Sequence, residues 1–371
     1  MTTTVSGSQI TFNDNTTQNT SAYGGGFAFR NRIINGGMVI DQRNAGASVT
    51  INSSTGAYTL DRWEGRGEAS QGVYTMQQSS TAPTGFNKSL LVTVTTADSS
   101  LASGDNYYFR QIVEGFNIAD LGWGTASAQT VTLSFWVRSS LTGTFGGAIT
   151  NASTSTRAYG FTYTISSANT WEQKTITITG DTTGTWNTDN SGGMFINFSL
   201  GANADRQTTA NTWSAISSVI ISGATGEGSI IGTNGATFYI TGVQLEKGST
   251  ATSFDYRPYS AELAMCQRYF QLIKFGTVIA QNTTNLLSNF SLLCQMRSSP
   301  SIGKTSGSIA IGDMVSAGYT TTSTPTLSAY DNNDIRVNFA LAGFTGLTAY
   351  RSYQHEPSSG SPSLITVSAE L

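Results

Sequence analysis

Apolar and polar residues alternate with period two along much of the chain, which predicts half-buried strands. In residues 131–137, Val131, Leu133, Phe135 and Val137 share one face, and Thr132, Ser134 and Trp136 share the other. Residues 159–165 place Tyr159, Phe161, Tyr163 and Ile165 together, and residues 194–200 do the same with Met194, Ile196, Phe198 and Leu200. Residues 90–95, 107–113, 174–179, 218–222, 237–245 and 335–340 read as further strands. Gly, Asn, Asp, Ser and Thr clusters such as residues 180–193 supply the turns between them. The pattern predicts helix once: Ser260 can cap residues 261–270, Glu262 suits the first turn, and Leu263, Cys266 and Phe270 share a face. The chain therefore reads as all-β. A polar N-terminal attachment arm (1–30) leads into a jelly-roll or β-sandwich domain (31–259). A short connector helix (260–270) and a second, C-terminal β-sandwich domain (271–371) follow.

Charge changes the picture mostly by its scarcity. Charged residues make up 11% of the 371, against roughly 25% in ordinary globular domains. Apolar residues at 38%, together with 40 Gly, still permit a sizeable core. A net charge of -3 with 15 Tyr, 18 Phe and 6 Trp excludes a disordered chain, and the absence of a Lys/Arg stripe argues against a nucleic-acid partner. No apolar run approaches the roughly 18 residues of a membrane span, so membrane insertion is not expected. The N-terminus lacks the basic and apolar segments of a secretory signal, which points to synthesis in a cytoplasm. Cys266 and Cys294 then read as reduced thiols.

Catalytic motifs fail in turn. Ser298 stands where a phosphate loop ending in Gly303-Lys304-Thr305 needs glycine, and Ser70 and Ser127 replace the third glycine of two dinucleotide-like loops. A zinc centre is hard to assemble from one histidine, His355, and no C-x-x-C pair. A glycosidase pair among Asp61, Glu64, Glu68, Glu114, Asp189 and Asp205 would have to be assembled in space, and each reads first as a turn or surface residue. Binding is better supplied. Sugars stack their C–H faces on aromatic rings while amides and hydroxyls bond their oxygens. Trp123, Trp186 and Trp213 lie outside the strand runs, and of these Trp186 and Trp213 are the candidate ligand contacts; Trp136 and Trp171 flank strands and read more strongly as core.

Several segments, in order, resemble phage tail-fibre proteins with a carbohydrate-binding-module-like jelly roll. They are residues 10–18, 31–43, 58–63, 108–116, 133–138, 180–187, 242–248, 254–259 and 262–270, so the resemblance covers roughly residues 5–270. It implies a virion protein and homotrimer, joined to other tail proteins by its arm, that recognises host surface polysaccharide without catalysis. Residues 271–371 would form the tip, with Tyr330, Asp331, Asn332, Asp334, Tyr350, Tyr353 and His355 as receptor contacts. Trp63 and Phe254 would pack near the start and end of the sandwich, Gly36 and Gly37 would permit a tight turn, and Asp61 and Arg62 would make an ion pair or turn contact. No cofactor is implied, although a structural calcium held by Glu246 and Asp61 is a further expectation. A polysaccharide-cleaving enzyme and a purely structural virion spacer or decoration are the alternatives.

Overall fold

A computed structural model describes residues 4–6, 9–11, 17–18, 30–52, 56–68, 71–223, 229–274, 276–305, 309–315, 319–322, 325–330, 332–356 and 364–371. The chain divides into two compact units, Met1–Arg30 and Asn31–Leu371. The first contains an antiparallel sheet of β1 (Thr4–Ser6), β2 (Gln9–Thr11) and β3 (Thr17–Gln18), with Ile10 opposite both Val5 and Gln18.

The second unit opens with a sandwich of antiparallel strands. Its six-stranded sheet has the order β13 (Glu172–Ile178), β10 (Val131–Ser139), β16 (Thr237–Lys247), β8 (Ser89–Thr96), β7 (Val73–Ser79), β4 (Val49–Ile51). The facing seven-stranded sheet runs β15 (Trp213–Ala215), β12 (Arg157–Ile165), β11 (Gly143–Asn151), β14 (Gly192–Ala202), β9 (Asn106–Glu114), β6 (Glu64–Glu68), β5 (Ala57–Tyr58). Alternation turns one face of each strand inward, so Trp63, Phe109, Phe135, Phe161, Phe198 and Phe238 fill a continuous core. Phe109 and Phe198 stack there at 5.2 Å, with Trp63 about one ring away from both. Burying such rings contributes roughly 1.5–3 kcal/mol each. Residues 218–222 form no strand; Ser222 makes only an isolated bridge to Gln207. Strand β11, missed by pattern, carries Gly143, Gly146 and Gly147, and a Cβ at Gly147 would lie 2.2 Å from the Phe161 ring.

Helix α1 spans Tyr259–Gln267, and its N-cap is Pro258 without a side-chain bond, not Ser260. Proline fits there because it fixes φ and has no N–H to satisfy. Glu262 is in the first turn as expected, but its carboxylate accepts from the backbone N–H of Asn35 and from Arg257. The helix stops short of Phe270, which begins β17 (Phe270–Ile273), while Cys266 and Tyr269 pack against Ile34 and Ile40.

Beyond α1 lie two sheets around a separate core that includes Val278, Leu286, Ile311, Val337, Phe339, Tyr353 and Val367. One has the order β17, β26 (Ile365–Ser368), β20 (Ser301–Lys304). The other runs β22 (Tyr319–Thr322), β21 (Ile309–Asp313), β25 (Ser352–Glu356), β18 (Thr277–Ala280), β19 (Asn285–Ser291), β24 (Arg336–Ala342), β23 (Thr326–Ala329). Polar contacts tie this region to the sandwich. Glu370 accepts from Arg43 at 2.6 Å and from the buried Arg62, Arg268 grips Glu114 through two hydrogen bonds, and Tyr58 donates to the Leu371 carbonyl at 3.0 Å. The Ala369 N–H donates to the Tyr269 carbonyl at 2.8 Å.

Candidate functional site

The tryptophans divide in the opposite sense to their reading in sequence. Trp123, Trp186 and Trp213 meet edge to face, with centroids 4.7, 5.3 and 5.6 Å apart. Each indole N–H is occupied, donating to the carbonyls of Gln129, Thr183 and Thr179 respectively. Trp186 is 8% exposed, and Trp213 is half-buried against the same core. Both serve as mutual packing, which leaves no open platform at Trp186.

The C-terminal candidates do not form one surface. Tyr330, Asn332 and Asp334 lie in the β23–β24 connection, whereas Tyr350 lies in the β24–β25 connection at the opposite end of β24. Asn332 Oδ1 accepts from the Asn338 N–H at 3.0 Å, and Asp334 Oδ2 accepts from Gln295 at 2.6 Å. Tyr353 is buried in the core, and its hydroxyl accepts from the Thr348 N–H at 2.8 Å. Tyr330 and Tyr350 are 45% and 86% exposed. His355 sits on β25 opposite Ile311, and Asp331 lies outside the described residues.

A different aromatic set shares one face. Trp136 stands between the buried Phe135 and Val137 on β10, so it must point out of the six-stranded sheet. Register then places Gln173 and Thr241 beside it, Tyr239 beside Arg138, Leu91 beside Tyr239, and Gln77 beside Leu91. Trp171 reaches over from the segment before β13 and meets Tyr239 edge-on at 6.1 Å, while the Arg138 guanidinium lies 4.9 Å over the same ring. Glu172 anchors that segment. It accepts from Lys174 at 2.7 Å and from the Ser166 and Ser167 N–H groups at 2.8 and 2.9 Å, and the Lys174 bond chiefly holds its carboxyl below the ordinary range.

Gly242 extends the stripe. It has φ +61° beside the β10–β16 register shift, and a Cβ there would lie 2.6 Å from the Phe86 ring and 3.2 Å from Trp136. Without that side chain the surface continues from Trp136 to Phe86, Phe254 and Tyr256, whose centroids are 4.8–5.5 Å apart. Tyr256 is 61% exposed, and a cavity of about 120 Å³ opens between these rings and Arg257 and Glu262. Among the outward residues of β7, β8, β10 and β13, and of residues 239–241, Arg138 alone is charged; the Glu172–Lys174 pair at the edge stands opposite Val137 and Phe135, on the other face. Phe254 therefore belongs to this rim, while Trp63 lies wholly in the core. The signal for the stripe was the alternation itself, which puts Trp136 opposite the core positions.

The outer face of the other sheet is differently built. Residues 204–223 cross it, with Ile220 on Ala148 and Ala158, and Ile221 on Tyr108 and Ala202. Glu64 is held there by Arg110 at 2.7 Å and by Arg66 at 3.3 Å. The remaining carboxylates are also engaged: Asp61 by Gln42, Glu68 by Arg66, Glu114 by Arg268 and Tyr269, Asp189 by Ser191, and Asp205 by Ser103 and Gly104. Burial pushes the Asp61 carboxyl up. Glu64 and Glu68 are four positions apart on one strand, about 13 Å along it, beyond the roughly 5–9.5 Å separations of glycosidase pairs. Asp61 and Arg62 do not pair with each other; they bond to Gln42 and Glu370. Glu246 is filled by donors from Gln244 and Thr252, and among the described residues no group of three or more acidic, Cys or His side chains could hold a metal. Nor is any described helix long and apolar enough to cross a membrane.

No protein-family model matches the chain, and no curated protein matches it. Solved structures with some likeness include the enzymatically active domain of bacteriophage CBA120 tailspike protein 4, at 14% identity and TM-score 0.31; the match covers 59% of this chain and 22% of that one. The carbohydrate-binding module TmCBM61, solved with beta-1,4-galactotriose, matches at 10% identity and TM-score 0.29, covering 59% of this chain and all of that one. A family 11 carbohydrate-binding module from a Clostridium thermocellum cellulosomal cellulase matches at 11% identity and TM-score 0.28, covering 56% of this chain and 99% of that one.

Proposed function

We propose that this chain is a non-catalytic glycan-recognition protein that binds an uncharged polysaccharide along the outer face of its six-stranded sheet. The aromatic stripe from Trp171 and Tyr239 through Trp136 to Phe86 and Tyr256 carries this reading. Its ring faces suit sugar C–H surfaces, and Gln77, Gln173 and the outward threonines supply hydroxyl partners. With Arg138 as its one charge, lying over the Tyr239 ring, the stripe suits neutral sugars held by stacking and hydroxyl bonds. The ordered motif series further favours a phage tail fibre, trimeric on the virion and directed at host surface polysaccharide, where three weak sites act together.

Purified protein is incubated with intact candidate host cells and with cells stripped of surface polysaccharide, while bound protein and new reducing ends are measured together. Binding lost on stripping, absent from a Trp136→Ala/Tyr239→Ala variant and without sugar release, is expected. Full binding by that variant refutes the assignment of the face, and released reducing ends refute the non-catalytic reading. Sedimentation equilibrium at a mass other than three times the 39.2 kDa chain refutes the trimer.

A further inference from the structure

A second recess lies where the end of β9 meets α1, about one helical turn from the Glu262 that lines the stripe's cavity. It has a volume of about 280 Å³, near the small end of small-molecule sites, and suits one sugar ring more than a chain. The turn after β9 forms one wall. The Gly115 and Phe116 N–H groups donate to the carbonyls of Ser191 and Asp189, both at 2.8 Å, and a Cβ on Gly115 would lie 2.6 Å from the Asn187 carbonyl oxygen. The backbone is thus held close against its neighbour while the Phe116 ring stays 60% exposed. Such a ring gains nothing from the core, since an aromatic side chain left in water forgoes its burial energy.

The opposite wall is Arg268. Glu114, buried beneath, takes its Nε and Nη2 at 2.9 and 2.5 Å and also accepts from the Tyr269 hydroxyl. Glu114 is therefore saturated with donors, whereas Nη1 of Arg268, on a side chain 32% exposed, has no protein acceptor among the described residues. Ile34 and Met265 add an apolar patch, and Asn117 adds an amide. The recess thus offers a ring face, an apolar patch and a guanidinium N–H whose charge is already balanced.

We propose that this recess binds an N-acetylhexosamine residue. The pyranose C–H face would lie on Phe116, the acetamido methyl would meet Ile34 and Met265, and the acetamido carbonyl would accept from Arg268. A carboxylate ligand fits less well, since Glu114 neutralises the guanidinium and lies directly behind it. A bare hexose has no group for the apolar patch. The inference rests on other residues than the stripe and names, within the neutral sugars, those that carry an acetamido group.

Saturation-transfer NMR on the full chain with the methyl glycosides of N-acetylglucosamine, N-acetylgalactosamine, glucose and glucuronic acid tests it. The acetamido methyl of one or both N-acetyl sugars is expected to receive the strongest saturation. Phe116→Ala, which removes a solvent-exposed ring, should weaken binding at least tenfold with an unchanged melting curve, and Arg268→Lys should weaken it while keeping the charge beside Glu114. No saturation of either N-acetyl sugar, stronger binding of glucose or glucuronate that Phe116→Ala weakens, or wild-type affinity in both variants would overturn the proposal. So would loss of the N-acetyl signal in Trp136→Ala but not in Phe116→Ala, which would move the sugar to the sheet face.

Discussion

Replacing Tyr239 by alanine removes the hub of the stripe. Its ring is half-buried, meets Trp171 edge-on at 6.1 Å and lies under the Arg138 guanidinium at 4.9 Å. The aromatic pair contributes about 0.5–1.5 kcal/mol and the cation over the ring about 0.5–1 kcal/mol, so the fold should lose about 1–2.5 kcal/mol from these contacts and roughly 1 kcal/mol more from the burial of half the ring. That is a fraction of the roughly 5–15 kcal/mol that holds a domain together, and the variant should remain folded. For binding, about 50 Å² of ring face withdrawn from water at roughly 25 cal/mol per Å² amounts to about 1.3 kcal/mol, close to a tenfold rise in Kd. Tyr239→Phe keeps the ring and should bind within about twofold by the same reckoning. Isothermal titration with the recognised polysaccharide measures both. Because Trp171 loses its partner as well, a Tyr239/Trp171 double-mutant cycle should be non-additive. Unchanged affinity in a folded Tyr239→Ala protein would show that sugar does not stack there, and the argument from ring geometry to ligand would fail.

Acid should release the Trp171 segment. The Glu172 carboxyl is held below its ordinary 4.5, chiefly by Lys174, so its contacts are complete above that value and are lost as pH falls through the lowered one. Affinity should be flat from neutral pH down to 4.5 and fall only below it; Glu172→Gln should bind more weakly throughout and show a smaller fall, as read by titration across pH. Glu370→Ala leaves Arg62, with 1% of its side chain exposed, without its carboxylate, so urea unfolding should show a loss of about 3–5 kcal/mol. Arg62→Met, which removes the buried charge itself, should cost less. Burial pushes the Cys266 thiol well up, and that of Cys294 up as well. Iodoacetamide at neutral pH should therefore modify the half-exposed Cys294 first and leave the buried Cys266 until the chain unfolds, as peptide mass spectrometry would report.

Strands with strict alternation were legible because burial on one face enforces period two. Residues 131–137, 159–165 and 194–200 all fall inside observed strands. β6 and β11 were not, since Gly65, Gly67, Gly146 and Gly147 replace the side chains that reveal a face; close packing of Gly65 against Met76 and of Gly147 against Phe161 demands glycine at both. Residues 218–222 had the alternation of a strand but use their isoleucines to cover the neighbouring sheet. The stripe was half legible. Trp136 was on the outward face from its position alone, yet a tryptophan's size made core the default assignment. Trp186 and Trp213 misled because a polar loop sequence does not reveal that three indoles close on one another. The union of Trp136 with Phe86 and Tyr256 depends on pairings between strands some hundred residues apart, which no local pattern carries.

The hydrogen bond between Ala369 and Tyr269 means that the chain enters and leaves its C-terminal sheets at a single point. Everything from residue 270 to residue 368 is an excursion from that point, with a core of its own. Recombination at the two neighbouring sites would exchange the whole excursion for another fold with adjacent ends and leave the sandwich intact, provided the Glu370 anchor is kept. Such a junction lets the excursion change as a block while the sandwich and its aromatic face are held constant.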